Sequence, residues 1–278
     1  MNKCGLYTWF GYILPIEDKL KMISDVGFET ICTWWGDDFN ETDGDYRDHA
    51  ELASKYGLYL EHSHIPYYGC DKLWTDTLDG EEILKMHINS VKTAGVCSVP
   101  TLVMHPHERI MPQGTKYELF CDNLQRILEQ CDKSGVNIAL ENLSDDGLIR
   151  KVQDMVRDVP FAGLCFDSGH NNVATDGNFS LLDDYDNKVF ALHIHDNNGI
   201  KDEHIMPFEG NIDWRGFMQS INNTNFSGSL MLECCYPFDF DKFEDDPDYV
   251  FVPTDMTAIE YLQKAKLACD RVYDTFKM

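Results

Sequence analysis

Eight short apolar runs alternate along this chain with helical patterns, and most of the runs close on a residue able to ligate a metal. The runs are CGLYTW (4–9), ETICTWW (29–35), LYLEHSH (58–64), TLVMH (101–105), VNIALE (136–141), AGLCFD (162–167), VFALHIH (189–195) and SLMLE (229–233). Between them PIEDKLKMISDV (15–26), EEILKMHINSVKTA (81–94), KYELFCDNLQRILEQCDKS (116–134) and TAIEYLQKAKLACDRVYDTF (257–276) repeat apolar residues every three or four positions, the period of an amphipathic helix. Such alternation predicts parallel βαβ units, and eight of them predict an α/β fold closed into a (β/α)8 TIM barrel. A doubly wound open sheet is the weaker alternative, since no G-x-G-x-x-G follows the first run. A barrel of this kind needs roughly 250 residues, so the 278 residues read as one domain over 1–278. Gly27, Gly57, Gly95 and Gly135 stand where helices should stop, because glycine tolerates the left-handed position after a last turn.

Side chains in a strand alternate between faces, so the ends of the runs can be oriented. If Glu141 faces the barrel interior, Ile138 and Leu140 face the helices. Inward Asp167 leaves Leu164 and Phe166 outside, inward His193 and His195 leave Phe190, Leu192 and Ile194 outside, and inward Glu233 leaves Leu230 and Leu232 outside. Four strands thus each place a polar residue inside. The third is less tidy: inward His62 and His64 put Glu61 and Ser63 on the helix side. Active sites of this fold lie at the C-terminal ends of the strands, where these residues fall.

Carboxylates mixed with imidazoles suit a divalent ion, zinc ahead of manganese, with magnesium or cobalt also compatible. No cysteine pair is spaced for a thiolate site. Each residue has a plainer reading. A carboxylate after a strand often caps the next helix, which applies to Glu141 and Asp167 taken singly. His49 and His87 fall in helical stretches and read as surface or packing residues, and His105 could be only a turn residue before Pro106. These readings do not explain why so many strands end alike. Aromatic residues near strand ends (Trp9, Phe10, Trp34, Trp35, Tyr67, Tyr68, Trp74, Phe208) could wall a bound ligand or pack the rim. Of the neighbours Trp34 and Trp35 one must look inward, and Trp35 is assigned to substrate.

The formal net charge of -25 opposes binding to nucleic acid or to anionic membranes. Ten cysteines without a CxxC, most within or beside apolar segments, read as reduced thiols. MNKCGLYTWF lacks the apolar core of a signal peptide, and no apolar run approaches the ~20 residues of a membrane span. The chain reads as soluble and cytoplasmic.

ALENL (139–143), FDSGH (166–170), HIHDNNG (193–199), D-E-H-x-x-P (202–207), EGNIDW (209–214) and LMLE (230–233), in this order and spacing, resemble the xylose isomerase-like TIM-barrel superfamily. That superfamily includes sugar phosphate isomerases/epimerases, ketose 3-epimerases, inosose dehydratases and AP endonucleases of the endonuclease IV type. The resemblance covers nearly the whole chain. It implies a metal site of Glu141, Asp167, His193 and Glu233, with Glu141 and Glu233 as catalytic acid and base and with His170 and His64 near substrate. The endonuclease branch holds further metals, and its extra ligands have counterparts in His64, His105, His170, Asp202 and His204. The arginine that epimerases carry shortly after the metal histidine is absent, Gly199 standing in its place.

Two chemistries compete. One is proton transfer beside the carbonyl of a keto-sugar or related polyol, through a metal-stabilised enediolate. The other is metal-assisted hydrolysis of a phosphodiester; an inosose dehydratase-like lyase would begin with the same proton abstraction as the first. The predicted mouth loops WGDDFNETDGDYRD, YGCDKLWTDTLDGEE, SDDG and FDFDKFEDDPDY are acidic, which would penalise each DNA phosphate while a neutral sugar is indifferent. Basic residues near the mouth are few, chiefly Arg109, Lys116 and Lys201, which favours an unphosphorylated sugar as the partner molecule. The oligomeric state stays open, a homo-oligomer being compatible.

Overall fold

Each strand hydrogen-bonds in parallel to its neighbours in sequence, and the first pairs with the last. The computed structural model describes residues 3–37, 41–108, 114–236 and 255–276. The expected runs become β1 (Cys4–Tyr7), β2 (Thr30–Trp34), β3 (Tyr59–His64), β4 (Thr101–Met104), β5 (Asn137–Glu141), β6 (Ala162–Asp167), β7 (Val189–His193) and β8 (Leu230–Leu232). Closure comes where Ile194 donates its N–H to the Met231 carbonyl at 2.8 Å and accepts from Glu233 at 2.9 Å. The result is a TIM barrel. Around it lie α1 (Ile16–Val26), α2 (His49–Lys55), α3 (Leu78–Val96), α4 (Tyr117–Ser134), α5 (Asp146–Met155), α6 (Ser168–Thr175), α7 (Ser180–Asp184), α8 (Trp214–Asn223) and α9 (Ala258–Thr275). The main core fills the space between helices and strands. Arg109 and the acidic run 239–248 lie outside the described residues.

Three of the four helix-stop glycines behave as expected, with φ of 99° at Gly27, 74° at Gly57 and 66° at Gly135. Gly95 does not. It sits inside α3, where a Cβ would come within 2.8 Å of the Ser134 carbonyl, so it permits close approach of two helices rather than a stop. The turn is made at Ser98, with φ of 59°.

The barrel interior is a stack of side chains. Directly beneath the strand ends, Val103, Ala139, Cys165 and Ala191 form one apolar group, and Tyr7, Cys32, Trp34 and Met231 another. Ala139, Cys165, Ala191 and Met231 each stand two residues before Glu141, Asp167, His193 and Glu233 respectively. They make a dry floor for the polar layer above.

Two register shifts decide which residues reach that layer. Ile31 pairs with Leu60 but Cys32 with His62, so Glu61 is passed over and both His62 and His64 turn inward. The outward polar groups of β3 then find each other: Ser63 bonds Thr33 at 2.8 Å, and Glu61 accepts the Ser229 hydroxyl at 2.6 Å. A second shift passes over Phe190, which packs on the interior group beside Ala191 instead of facing the helices as strict alternation predicts.

Every cysteine is free. No helix among the described residues is long and apolar enough to cross a membrane. His49 and His87 are buried packing residues, each bonded at 2.9 Å to a backbone carbonyl, of Asp43 and Ile83.

The long connection from β7 to α8 is organised by Asp196, which is fully buried. Its carboxylate accepts the backbone N–H of Asn197 (2.9 Å), Phe208 (2.8 Å) and Ile212 (3.2 Å) and the Trp214 indole N–H (2.9 Å). This ties HIHDNNG to EGNIDW and fixes the segment carrying Asp202 and His204. Asp196→Ala would strand three buried donors and the half-buried Phe208 N–H, each buried one costing about 1–3 kcal/mol if left unmet. We expect a stability loss of about 3 kcal/mol or more, read from the shift in urea midpoint followed by tryptophan fluorescence.

Candidate metal centre

The centre is built on Glu141, which is 1% exposed at the end of β5. His64 Nε2 and His105 Nε2 lie 3.1 and 3.3 Å from its Oε2. His170 Nδ1 and His193 Nδ1 each lie 3.3 Å from its Oε1. His193 Nδ1 is also 2.9 Å from Glu233 Oε2. Ligand atoms of Glu141, Asp167, His193 and Glu233 all fall within 4.8 Å of one another, as do those of His64, His105 and Glu141.

Asp167 serves as both cap and candidate ligand. Its Oδ1 accepts the His170 N–H at 2.6 Å, starting α6, and the same carboxylate faces His195 Nε2 at 3.1 Å. Asn142 holds it in place by accepting the Asp167 N–H at 2.8 Å and donating to the Asp167 carbonyl at 2.9 Å. A Cβ on Gly169 would collide with the His195 ring, which explains the glycine of FDSGH.

Asp202 completes the outer part of the centre, 3.2 Å from His170 Nε2 and 3.1 Å from His204 Nε2. His204 in turn bonds the Glu233 carbonyl at 2.9 Å through Nδ1 and stacks on His195 at 4.0 Å. All nine residues expected from the sequence are therefore brought together at the C-terminal mouth. His195 joins them as a packed neighbour.

The aromatic assignment needs correction. Trp34 is inward, stacked on His64 with centroids 5.7 Å apart, whereas Trp35 faces the helix layer, bonds the Ser90 carbonyl through its indole at 3.1 Å and packs edge-on to Tyr46. A residue following an inward-facing strand residue has no route to the mouth. Tyr67 stacks on His105 at 4.8 Å. Trp74 and Phe10 are buried in the outer core.

Electrostatically the cluster is unbalanced by its carboxylates. Burial pushes the Glu233 carboxyl up, but His193 beside it brings it down to about 2. Glu141 is likewise held well below the usual carboxylate range, His193 and His105 outweighing burial. Burial disfavours imidazolium at His170 and His204, yet Asp167 and Asp202 raise the first well above its ordinary value and Asp202 raises the second to about 10. The carboxylates demand positive charge, which protons on these imidazoles or bound cations can supply. His193 Nδ1, His170 Nδ1 and Glu233 Oε2 are buried and face one another's carboxylates and imidazoles at 2.9–3.3 Å without a well-directed hydrogen bond, as expected of atoms shaped for a cation. The donor set of carboxylates and imidazoles fits a divalent ion.

Asn142, Gly169 and Asp196 were not among the expected functional residues, although each lies inside a quoted motif. Their contacts run between strand ends and loops distant in sequence, which periodicity does not report.

Comparison with known proteins agrees with this architecture. The protein y4fM of Sinorhizobium fredii is 28% identical over 55% of this chain and 52% of its own length, so the match spans about half of that relative. The fructoselysine 3-epimerase of Shigella flexneri is 25% identical over 83% of this chain and 89% of its own. The solved structure of a D-tagatose 3-epimerase-like protein superposes with a TM-score of 0.77 at 17% identity, covering 99% of this chain and 98% of the other. With a match to the family model over residues 20–250, the chain belongs to the xylose isomerase-like TIM barrel family.

Proposed function

We propose that this protein is a metal-dependent sugar epimerase or isomerase that moves a proton beside the carbonyl of an unphosphorylated keto-sugar. The observation that carries the reading is the convergence of two glutamates from different strands, Glu141 at 3.3 Å and Glu233 at 2.9 Å, on one nitrogen of His193. The relation to a fructoselysine 3-epimerase supports the substrate class.

Glu141, Asp167, His193 and Glu233 would hold the ion, zinc first and manganese second. When bound, it supplies Lewis-acid stabilisation of the charge that develops next to the carbonyl. Glu141 and Glu233, deprotonated at neutral pH, come from the ends of different strands, β5 and β8, three apart in the ring. One removes the proton and the other delivers one to the opposite face, giving epimerisation, or isomerisation when delivery is to the neighbouring carbon. His170 and His64 would orient hydroxyl groups, and Trp34 takes the role expected of Trp35. Lys116 is engaged with Asp76 at 4.0 Å and Lys201 is exposed, which leaves little among the described residues to hold a phosphate.

A second reading, metal-assisted phosphodiester hydrolysis, is favoured by the additional donors His64, His105, His170, Asp202 and His204. The acidic loops weigh against it.

Protein grown with ample zinc and manganese should contain at least one divalent ion by elemental analysis, and its absence would sink the metal assignment. Burial opposes a proton on His193, but Cys165, Glu233 and Glu141 raise its pKa well above the ordinary value, so an ion held there would displace that proton and zinc binding near neutral pH should release protons. Affinity should therefore rise with pH and fall as acid protonates the ligands. Calorimetry in buffers of different ionisation enthalpy measures this.

Incubation with a panel of ketoses and inososes in D₂O, followed by NMR, should show exchange at carbon. Glu141→Gln and Glu233→Gln should retain the circular dichroism of the parent and lose exchange by about 100-fold or more. Cleavage of an abasic-site duplex without exchange on any sugar would select the hydrolase instead.

A further inference from the structure

The floor beneath the candidate ligands is made of Val103, Ala139, Cys165, Ala191 and Met231, and β3 departs from it. Two residues below His64 stands His62, wholly buried. Its Nε2 lies 3.2 Å from the Nε2 of His193, with ring centroids 5.3 Å apart and planes tilted by 30°. An imidazole sunk among apolar side chains gives up hydration that only a hydrogen bond restores. The register shift in β3 nonetheless turns it there.

The two nitrogens of His193 face different surroundings. Nδ1 looks at the carboxylates of Glu141 and Glu233. Nε2 looks at His62. A ligating nitrogen presents a lone pair, so a neutral His193 that ligates through Nδ1 carries its proton on Nε2. Of two facing Nε2 atoms one donates and the other accepts. We propose that His62 is a positioning residue that accepts the Nε2–H of His193 and thereby keeps the Nδ1 lone pair aimed at the Glu141–Glu233 donor set. This rests on the metal assignment made above. It requires His62 to carry its own proton on Nδ1, which is buried without a hydrogen-bond partner among the described residues. Packing alone would not select that arrangement, since an apolar side chain fills a floor position without any such loss.

The Cys32 thiol stands in the same pocket, its sulfur within 4.8 Å of one ring nitrogen of His62 and one of His193. A thiophilic ion bound there would need the Nε2 lone pair of His193, so it demands the opposite tautomer. The two arrangements are therefore distinguishable.

Zinc-loaded wild-type protein labelled with ¹⁵N-histidine should show His193 metallated at Nδ1 and protonated at Nε2, with that proton slow to exchange. Outer partners of metal ligands affect affinity by about 10- to 100-fold, so His62→Phe should weaken zinc binding by that factor in chelator competition. His62→Gln, whose amide oxygen can accept at the same point, should recover most of the loss. Circular dichroism and melting of the metal-free variants check the fold, and the NMR measurement on wild type needs no variant. Metallation of His193 at Nε2, or unchanged affinity in His62→Phe, would overturn this inference while leaving the metal assignment intact. Wild-type protein that binds no zinc would overturn both.

Discussion

The rest of the site depends on one buried carboxylate. Glu141 reaches the barrel axis from β5 with four imidazoles around it, two on each oxygen. A carboxylate removed from water in this way is tolerated only with charge or hydrogen bonds around it. The histidines come from β3, the end of β4, β7 and the start of α6, so the condition is met only when the strands from β3 to β7 have assembled and curved around it. Local helix or strand formation cannot meet it. The candidate centre is thus a product of assembling strands distant in sequence, and its geometry follows the strand register that delivers it.

That register is not uniform. Strict alternation would carry the side chains of β3 and β7 through their whole length on fixed faces. Instead each strand skips one residue against its neighbour, Glu61 in β3 and Phe190 in β7. The skips fall on the strands that carry His62, His64 and His193. Below them the floor is made mostly of small or apolar side chains, with buried His62 as the exception. Above them, Asn142 and Asp196 hold strand ends and loop together through bonds to backbone groups.

Much of this was legible in the sequence because most of the candidate ligands are themselves periodic with the fold. A residue that must face the barrel mouth sits at the end of an apolar run, and the run identifies both the strand and its inward face. The eight strands and the strand-end residues His64, His105, Glu141, Asp167, His193 and Glu233 follow from that coincidence, whereas His170, Asp202 and His204 were reached only through the resemblance carried by FDSGH and D-E-H-x-x-P. What was not legible depended on contacts between elements. Gly95 resembles a helix stop but serves helix packing against Ser134, and nothing local separates the two uses. Trp34 and Trp35 are chemically equivalent neighbours, and the choice between them turns on which end of the strand fixes the phase. Phe190 was oriented by an alternation that a skipped residue interrupts. His62 was oriented correctly, yet its partner His193 lies 131 residues away, beyond any pattern read along the chain.

The same carboxylate couples the parts of the centre. Glu141 belongs to the group with His64 and His105 and to the group with Asp167, His193 and Glu233. Cations in both would share it, so occupancy of one group alters the charge felt by the other over a few ångströms, where screening by solvent is weak. His170 extends the coupling outward, touching Glu141 through Nδ1 and Asp202 through Nε2. Asp202 in turn rides on the segment that Asp196 organises. On the proposed reading, the choice between one ion for sugar chemistry and several for hydrolysis does not lie with the inner four residues, which would serve either. It lies with the outer carboxylate and the imidazoles around it, and the Asp196 clamp is what holds that loop against the barrel.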